Sequence, residues 1–186
     1  MKSIFLNGTV GVGKSTTAEH LGACLAARST PHAVIDLDSI RQYWPASARD
    51  PFNLEIELLN LAALAANFER AGAQYLVISG VIENVNSAAR YRAALRGQPL
   101  FIFRLMAPSE VIGQRLQARH QNDSKALHWH LQRSLELDLI LRDANVDDTV
   151  IECAGSSPHE IAEKVLSVVG CATGPALLAD NQIRFS

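Results

Sequence analysis

The sequence predicts an α/β protein, a three-layer α/β/α sandwich built around a five-stranded parallel sheet. Short apolar segments typical of strands alternate along the chain with longer segments of helical spacing. Several of the short segments are apolar at nearly every position, as in parallel strands that are buried on both faces. Because crossovers between parallel strands are right-handed, this alternation predicts helices on both sides of one sheet.

Each predicted strand is a short run of apolar residues. The predicted strands cover residues 2–7, 33–36, 75–79, 100–105 and 149–152. The run Tyr75-Leu76-Val77-Ile78-Ser79 is apolar along most of its length, which is typical of a central parallel strand. Each strand is followed by a helical segment, so that the whole chain repeats the strand–helix unit.

The predicted helices follow from apolar spacing and from residues that begin or end a helix. They cover residues 14–28, 52–71, 86–96, 108–120, 126–142 and 158–169, with a short helical turn at 39–43 and a polar link at 121–125. Leucines at helical spacing define the helix over 52–71, and Gly72 is its stop. Pro108 and Pro158 suit the first turn of a helix because proline needs no hydrogen-bond partner there.

Length and charge limit the domain organisation and the classes of partner. A chain of 186 residues with 48% hydrophobic residues predicts one domain over residues 1–170, followed by a tail over 171–186. A net charge of −2 gives no overall attraction to nucleic acid or to an anionic membrane. No run of apolar residues is long enough to predict a membrane-spanning helix. Because the chain begins directly with a predicted strand, we also expect no signal peptide. We therefore expect a cytoplasmic protein.

The three cysteines give no metal or disulfide pattern. Cys24, Cys153 and Cys171 are odd in number and widely spaced. Cys24 lies within a predicted helix beside leucines, which favours a small thiol in the core. We therefore predict no disulfide and no zinc site, as expected in a reducing compartment.

The most informative segment follows the first strand. Residues 8–15 fit G-x-x-x-x-G-K-[S/T], the phosphate-binding P-loop, in the required order of strand, loop and helix. The loop amides and the helix N-terminus predict a site for the phosphates of ATP. Lys14 would contact the β- and γ-phosphates, and Ser15 would bind Mg²⁺. The predicted nucleotide-binding residues are Gly8, Thr9, Val10, Gly11, Val12, Gly13, Lys14, Ser15 and Thr16.

A second polar segment follows the second strand. Asp36 and Asp38 come at its carboxyl end, on the same side of the sheet as the P-loop, where ligands of open parallel sheets bind. We expect an aspartate on this adjacent strand tip to face the terminal phosphate. One carboxylate would help to hold Mg²⁺, for which Asp36 is the candidate, and the other would accept a proton from an attacking hydroxyl. The sequence leaves open which is the base, and also whether Asp38 merely caps a helical turn.

Arg41 follows three residues later and could hold a polar acceptor. Tyr43 and Trp44 beside it could stack on a planar acceptor or simply pack. A Walker B aspartate is missing from the end of the third strand, where Ser79 and Gly80 stand. Glu83, just beyond that strand, is a further candidate for the acceptor site, or else an exposed charge of a loop.

The P-loop together with Asp-x-Asp-x-Ile-Arg at 36–41 resembles the small P-loop kinases, especially adenylylsulfate kinase and chloramphenicol phosphotransferase. Gluconate and shikimate kinases are more distant relatives of this class. The resemblance covers the strand–helix order of residues 1–170 and implies the nucleotide-kinase-like P-loop NTPase fold. It also implies that Asp38 or Asp36 contacts the acceptor and serves as the base.

The chain departs from adenylylsulfate kinases at three places. Those enzymes usually carry Asp-Gly-Asp-Asn, where this chain has Asp36-Leu37-Asp38-Ser39. Their Ser-Pro motif corresponds to Ser79-Gly80, and their lid signature Asp-Pro-Lys-Gly is missing after Arg115. The resemblance therefore implies phosphoryl transfer but does not imply a sulfated nucleotide as acceptor.

Two arginines stand on the helix that precedes the predicted polar link. Arg115 and Arg119 are four residues apart, so both lie on one helix face. This arrangement resembles a kinase lid, which would span residues of about 113–130 and in which arginines cover the phosphates and balance charge in the transition state. The alternative is a solvated helix face.

The sequence thus predicts an ATP-dependent kinase that phosphorylates a hydroxyl of a small molecule, with Lys14, Asp38, Asp36, Arg115 and Arg119 as catalytic candidates. Asp38, Arg41 and Glu83 would contact the acceptor, and Ser15 and Asp36 would bind the metal. The first alternative is a switch protein that binds or hydrolyses a nucleotide without an acceptor, and the second is a kinase of nucleic-acid ends. We expect no nucleic-acid or membrane partner, and the sequence leaves a homodimer open.

Overall fold

A computed structural model describes residues 1–171 and confirms the predicted sandwich. Its sheet has five parallel strands in the order β2-β3-β1-β4-β5. The strands are β1 (Lys2–Gly8), β2 (His32–Asp36), β3 (Tyr75–Ser79), β4 (Leu100–Met106) and β5 (Thr149–Glu152). The predicted tail, residues 171–186, lies outside the described residues apart from Cys171, which ends the last helix.

Helices cover both faces of this sheet. They are α1 (Lys14–Ala27), α2 (Leu37–Ile40), α3 (Leu54–Arg70), α4 (Val85–Ala94), α5 (Ser109–Arg119), α6 (Ser124–Ala144) and α7 (Pro158–Cys171). The short helical turn predicted at 39–43 is misplaced, because α2 begins directly after β2. Asp36 causes this early start, since its Oδ1 accepts a hydrogen bond of 2.9 Å from the Asp38 amide and caps the helix.

The helix α3 begins two residues later than its apolar spacing predicts. Asp50 stands ahead of it and accepts hydrogen bonds from the amides of Leu54 at 2.8 Å and Glu55 at 2.9 Å. Asn53 has a left-handed backbone with φ 56°, so the chain turns sharply just before the helix. These contacts fix the direction in which α3 passes the end of β2.

The two faces of the sheet bury separate clusters of apolar side chains. Ile4 and Leu6 of β1 pack toward α1 and α7, whereas Phe5 between them packs toward α3 and α4. This alternation is the two-residue period of a strand with both faces covered. Along residues 1–171, no helix is long and apolar enough to cross a membrane.

Candidate active site

The carboxyl ends of the central strands open into a cavity of about 470 Å³. Strand β3 lies between β1 and β2, with Ser79 paired to Leu6 on one side and to Asp36 on the other. The expectation that the aspartate strand lies next to the P-loop strand is therefore wrong in topology. The Asp36 and P-loop residues still reach one cavity, because parallel strands end at the same edge of the sheet.

The P-loop forms a turn that only glycine adopts easily. Gly8 has φ 145°, and a Cβ there would lie 2.7 Å from the carbonyl oxygen of Leu105. Gly13, with φ 110°, precedes α1, and no side chain caps that helix. The first amides of α1 are thus left for an external acceptor, which fits a phosphate group.

Lys14 bends back over the loop. Its Nζ donates hydrogen bonds of 2.9 Å to the carbonyl oxygens of Gly8 and Thr9. Burial lowers the pKa of Lys14 to about 8, although the nearby charges of Asp38 and Asp36 oppose the shift. A bound phosphate would favour the charged ammonium further, so the side chain is suited to an anionic ligand.

Ser15 and Asp36 meet directly beside Lys14. The Ser15 hydroxyl donates a hydrogen bond of 2.6 Å to Asp36 Oδ2, while the other oxygen of Asp36 caps α2. A hydroxyl and a carboxylate in contact offer the hard oxygen ligands that Mg²⁺ prefers, and they leave the remaining positions to water and phosphate. The residues therefore fit the metal site that the sequence predicts.

Asp38 differs from Asp36 in its surroundings. Its side chain is 83% exposed, lines the cavity, and pairs with Arg41 at 2.7 Å. Asp36 is already held by Ser15 and by the helix cap, whereas Asp38 is open to a ligand. The geometry thus separates two carboxylates that the sequence could not distinguish.

Arg41 connects Asp38 to a buried acid that the sequence analysis missed. Its Nε lies 3.2 Å from Oε2 of Glu57, and Glu57 is fully buried on α3. The Tyr91 hydroxyl donates a hydrogen bond to the other oxygen of Glu57. Burial raises the pKa of Glu57, although the Tyr91 hydrogen bond and the Arg41 charge oppose the shift. Glu57 of α3, itself held by Tyr91 of α4, therefore fixes the position of the Arg41 side chain.

Glu83, a candidate for contact with the acceptor, lies in the cavity wall, and its carboxylate is paired. Arg133 of α6 donates to it, and the same guanidinium lies 5.3 Å from the centroid of the Phe52 ring. Glu83 is therefore available to an acceptor only together with Arg133, which the sequence analysis did not single out. The contact joins the loop after β3 to α6 across the cavity.

The two predicted lid arginines of α5 both approach the P-loop. Arg115 Nη1 donates a hydrogen bond of 2.7 Å to the carbonyl oxygen of Val12. Arg119 lines the cavity, and its charge acts on Lys14. Arg115 thus supports the loop from outside, while Arg119 reaches the space that a ligand would occupy.

The aromatic part of the cavity comes from other residues than expected. Tyr43 and Trp44 are 62% and 89% exposed and lie outside the wall. The cavity wall includes the rings of Phe52 before α3, Tyr91 of α4, and Trp129 and His130 of α6. These rings add apolar surface to a wall that also carries charged residues.

Asn7 is a further residue that the sequence analysis missed. Its Oδ1 accepts hydrogen bonds of 3.0 Å from the amides of Gly8 and Ile82, and its Nδ2 donates to Asp147 at 2.9 Å. The fully buried Asn7 thereby ties the start of the P-loop to the loop after β3. A single asparagine at the end of a strand gives no signal in the sequence, because its partners lie 75 and 140 residues away.

Solved structures confirm the predicted resemblance to small-molecule P-loop kinases. The Deinococcus radiodurans tunicamycin resistance protein is 25% identical, with a TM-score of 0.65 over 91% of this chain and 95% of that one. A gluconokinase from Sinorhizobium meliloti is 21% identical, with a TM-score of 0.61 over 97% and 95%. The APS kinase CysC of Mycobacterium tuberculosis, in complex with AMPPNP and APS, is 20% identical, with a TM-score of 0.55 over 91% and 97%. The chain therefore has the fold of P-loop kinases.

The sequence also matches a family model. Residues 4–138 match the model of an AAA domain, and the chain belongs to this family. The matched range includes the P-loop, the aspartates after β2 and the two arginines of α5. No curated protein matches the chain in sequence.

Proposed function

We propose that this protein is an ATP-dependent phosphotransferase that moves the γ-phosphate of ATP to a hydroxyl of a small molecule. One observation carries the proposal: the exposed carboxylate of Asp38 lines the same cavity as Lys14 and Ser15 of the P-loop. A base next to a phosphate-binding loop serves a reaction in which a hydroxyl attacks the phosphate.

The nucleotide would bind at residues 8–16. The loop amides and the uncapped start of α1 would hold the phosphates, and Lys14 would contact the β- and γ-phosphates. Ser15 and Asp36 would hold Mg²⁺, which supplies neutralisation of phosphate charge when bound. Arg119 would add positive charge from the cavity wall, while Arg115 would hold the loop through Val12.

The transfer step would use Asp38 as the base. The acceptor hydroxyl would give its proton to the Asp38 carboxylate, and its oxygen would form a bond to the γ-phosphorus. The bond between that phosphorus and the β–γ bridging oxygen would break, and ADP would leave. Lys14 and Arg119 would stabilise the charge on the transferred group, which is the main contribution of the protein in phosphoryl transfer.

The acceptor would occupy the part of the cavity farther from the P-loop. Besides the P-loop residues, the cavity wall includes the charged residues Arg41 and Glu83 and the rings of Phe52 and Trp129. Such a mixture suits a polyhydroxylated molecule that also has an apolar or planar portion. The net charge of −2 favours a small molecule over nucleic acid.

A panel of acceptors tests the proposal. ATP consumption is measured with hydroxyl-bearing compounds that include tunicamycin, gluconate and APS, because the similar solved structures are a tunicamycin resistance protein, a gluconokinase and an APS kinase. Shikimate is included because the sequence resembles shikimate kinases more distantly. An oligonucleotide with a free 5′ hydroxyl is the nucleic-acid comparison. A kinase should consume ATP faster with at least one acceptor and should yield a phosphorylated product by mass spectrometry.

The alternative of a nucleotide-hydrolysing switch is tested in the same assay. Phosphate release without acceptor should be slow if the protein is a kinase, because Asp38 and Arg41 then have no hydroxyl to position. Rapid hydrolysis that no acceptor changes would favour the switch and contradict the proposed transfer.

A further inference from the structure

A second polar cluster lies far from the cavity, where α1 packs against α7. Cys24 of α1 is buried, and its Sγ lies 3.4 Å from Nδ1 of His159 in the first turn of α7. Glu163 lies one turn farther along α7. One ligand atom from each of these three side chains lies within 4.8 Å of the other two. Cys24 is ten residues beyond Lys14, or about 15 Å along the helix.

The positions on the two helices explain why these side chains converge. His159 and Glu163 are four residues apart on α7 and therefore lie on one face. His20 and Cys24 have the same spacing on α1, and the ring centroids of His20 and His159 are 6.4 Å apart. Two helices thus bring four potential metal-binding side chains to one seam.

The distance between the sulfur and the imidazole nitrogen matches that of two ligands in a tetrahedral metal site. Zinc binds cysteine sulfur at about 2.3 Å and histidine nitrogen at about 2.0 Å, so two such ligands lie about 3.5 Å apart. The observed separation between Cys24 Sγ and His159 Nδ1 is 3.4 Å. We propose that Cys24, His159 and Glu163 form a binding site for zinc or a chemically similar divalent cation. The fourth position is open to water or to His20.

The donor set points to zinc rather than to magnesium. A thiolate and an imidazole are softer than the oxygen ligands of Ser15 and Asp36, and they select zinc-like cations. A nucleophilic cysteine is the rival interpretation of a thiol beside a histidine. It is disfavoured because the Cys24 side chain is buried, whereas reactive cysteines are partly exposed.

Two features of the surroundings permit binding. His159 is exposed, so a cation has a path to the buried sulfur. Arg28 competes for Glu163, with Nη2 at 2.5 Å from Oε2. This pair is on the surface, with side chains 47% and 39% exposed, and such pairs contribute little to stability. The carboxylate can therefore turn from the guanidinium to a bound metal.

Cobalt provides the direct test, because Co²⁺ replaces Zn²⁺ and gives a charge-transfer absorption band when a thiolate binds it. The protein is titrated with Co²⁺ in excess Mg²⁺, which occupies the oxygen ligands at Ser15 and Asp36. We expect the band to saturate at one cobalt per chain and to disappear when Zn²⁺ is added. The band should be absent in Cys24→Ala and present in the matched control Cys153→Ala, which also removes a buried thiol.

A substitution of the exposed ligand His159 tests the site without disturbing the packing around Cys24. His159→Gln should weaken cobalt binding at least tenfold, and its folding is checked by circular dichroism. As a second measurement, Zn²⁺ should slow the alkylation of Cys24 at least tenfold, followed by peptide mass spectrometry. The proposal is overturned if the parent protein gives no band, if Cys24→Ala retains it, or if Zn²⁺ leaves the alkylation rate unchanged.

The sequence analysis predicted no zinc site because it considered only the spacing of the cysteines. The proposed ligands on α7, His159 and Glu163, include no cysteine, and His159 lies 135 residues from Cys24 in the sequence. Only the packing of α1 against α7 brings the two pairs together. A metal bound there would tie the helix that carries the P-loop to the last helix of the fold and would stabilise the native state by mass action.

Discussion

The proposed phosphate end of the cavity, residues 8–16, and its proposed acceptor end, around Arg41 and Glu83, are built in different ways. At the phosphate end, the chemistry comes from backbone amides and two side chains within one segment. At the acceptor end, charged side chains come from α2 and its C-cap, α3, α6 and the loop after β3, and each is paired with another side chain. The first end depends on local backbone conformation, whereas the second depends on the packing of distant elements.

This difference predicts how each end responds to substitution. A change at the phosphate end should impair every reaction of ATP, whichever acceptor is present. A change at the acceptor end should leave nucleotide binding intact and should alter turnover or stability. Substitutions at each end of the cavity test this separation.

The largest effect is expected for Lys14→Ala. The substitution removes the ammonium that would contact the phosphates, so kcat should fall about 10³-fold. Binding of ATP should weaken about tenfold or more, since hydrogen bonds to charged groups are lost. Both are measured by a coupled ADP assay and by titration with ATP. Lys2→Ala, at the opposite end of β1, is the control and should behave like the parent.

Asp38→Asn should produce the next largest effect. General bases contribute about 10²–10⁴-fold, and the loose transition state of phosphoryl transfer places the expected loss of kcat at about 10²-fold. ATP affinity should stay within about twofold of the parent, because Asp36 and Ser15 are unchanged. Turnover equal to that of the parent would exclude Asp38 as the base.

Asp36→Asn provides the matched contrast to Asp38→Asn. It retains the shape of the helix cap but weakens the pair with Ser15, so it should reduce affinity for Mg²⁺ and ATP together. Titration with Mg²⁺ at fixed ATP measures this effect. If both substitutions reduced ATP affinity equally, the two aspartates would not have the separate roles that their contacts indicate.

The sequence predicted the strand, loop and helix around residues 8–15, but it did not predict which side chains pair elsewhere in the cavity wall. The P-loop is contiguous, so its spacing alone indicates the strand, the loop and the ligand. Glu57 gave no such signal, because a glutamate in an apolar helix is recognised as a partner of Arg41 only when α3 is packed beside β2. Glu83 was assigned to the acceptor site, but its pairing with Arg133 depends on α6.

The fold was predictable to a similar depth. Apolar runs predicted the bounds of the strands within about two residues. The order of the strands is a property of the whole sheet, and β3 lies between β1 and β2, which were expected to be adjacent. The start of α2 was missed because Asp36, which the sequence assigned to a metal site, also caps this helix. Here a residue that the sequence assigned to function also determines local structure.

Tyr91→Phe tests whether the hydrogen bond between the buried side chains of Tyr91 and Glu57 stabilises the fold without affecting ATP binding. The substitution removes the only hydroxyl that donates to Glu57 among the described residues, and the free energy of unfolding should fall by about 1–3 kcal/mol. Urea denaturation measures this change, and ATP affinity should not change. The control Tyr43→Phe removes a hydroxyl from an exposed side chain and should alter neither quantity. A loss of ATP affinity in Tyr91→Phe would show that the two ends are coupled.

The smallest expected effect is the pH dependence of ATP affinity, which depends on Lys14 at the phosphate end. The pKa of Lys14 is lowered to about 8, so ATP affinity should fall about fivefold between pH 8 and pH 9, as the free protein loses the ammonium. Lys14→Ala should bind more weakly at every pH and should show no such fall. The stability of the nucleotide-free protein should change in the opposite sense. Because the folded lysine releases its proton at a pH where the unfolded one still holds it, stability should rise from about pH 8 toward 10.5. An ATP affinity in the parent that stays constant from pH 8 to pH 9 would mean that Lys14 remains charged there, and that burial does not control the ammonium.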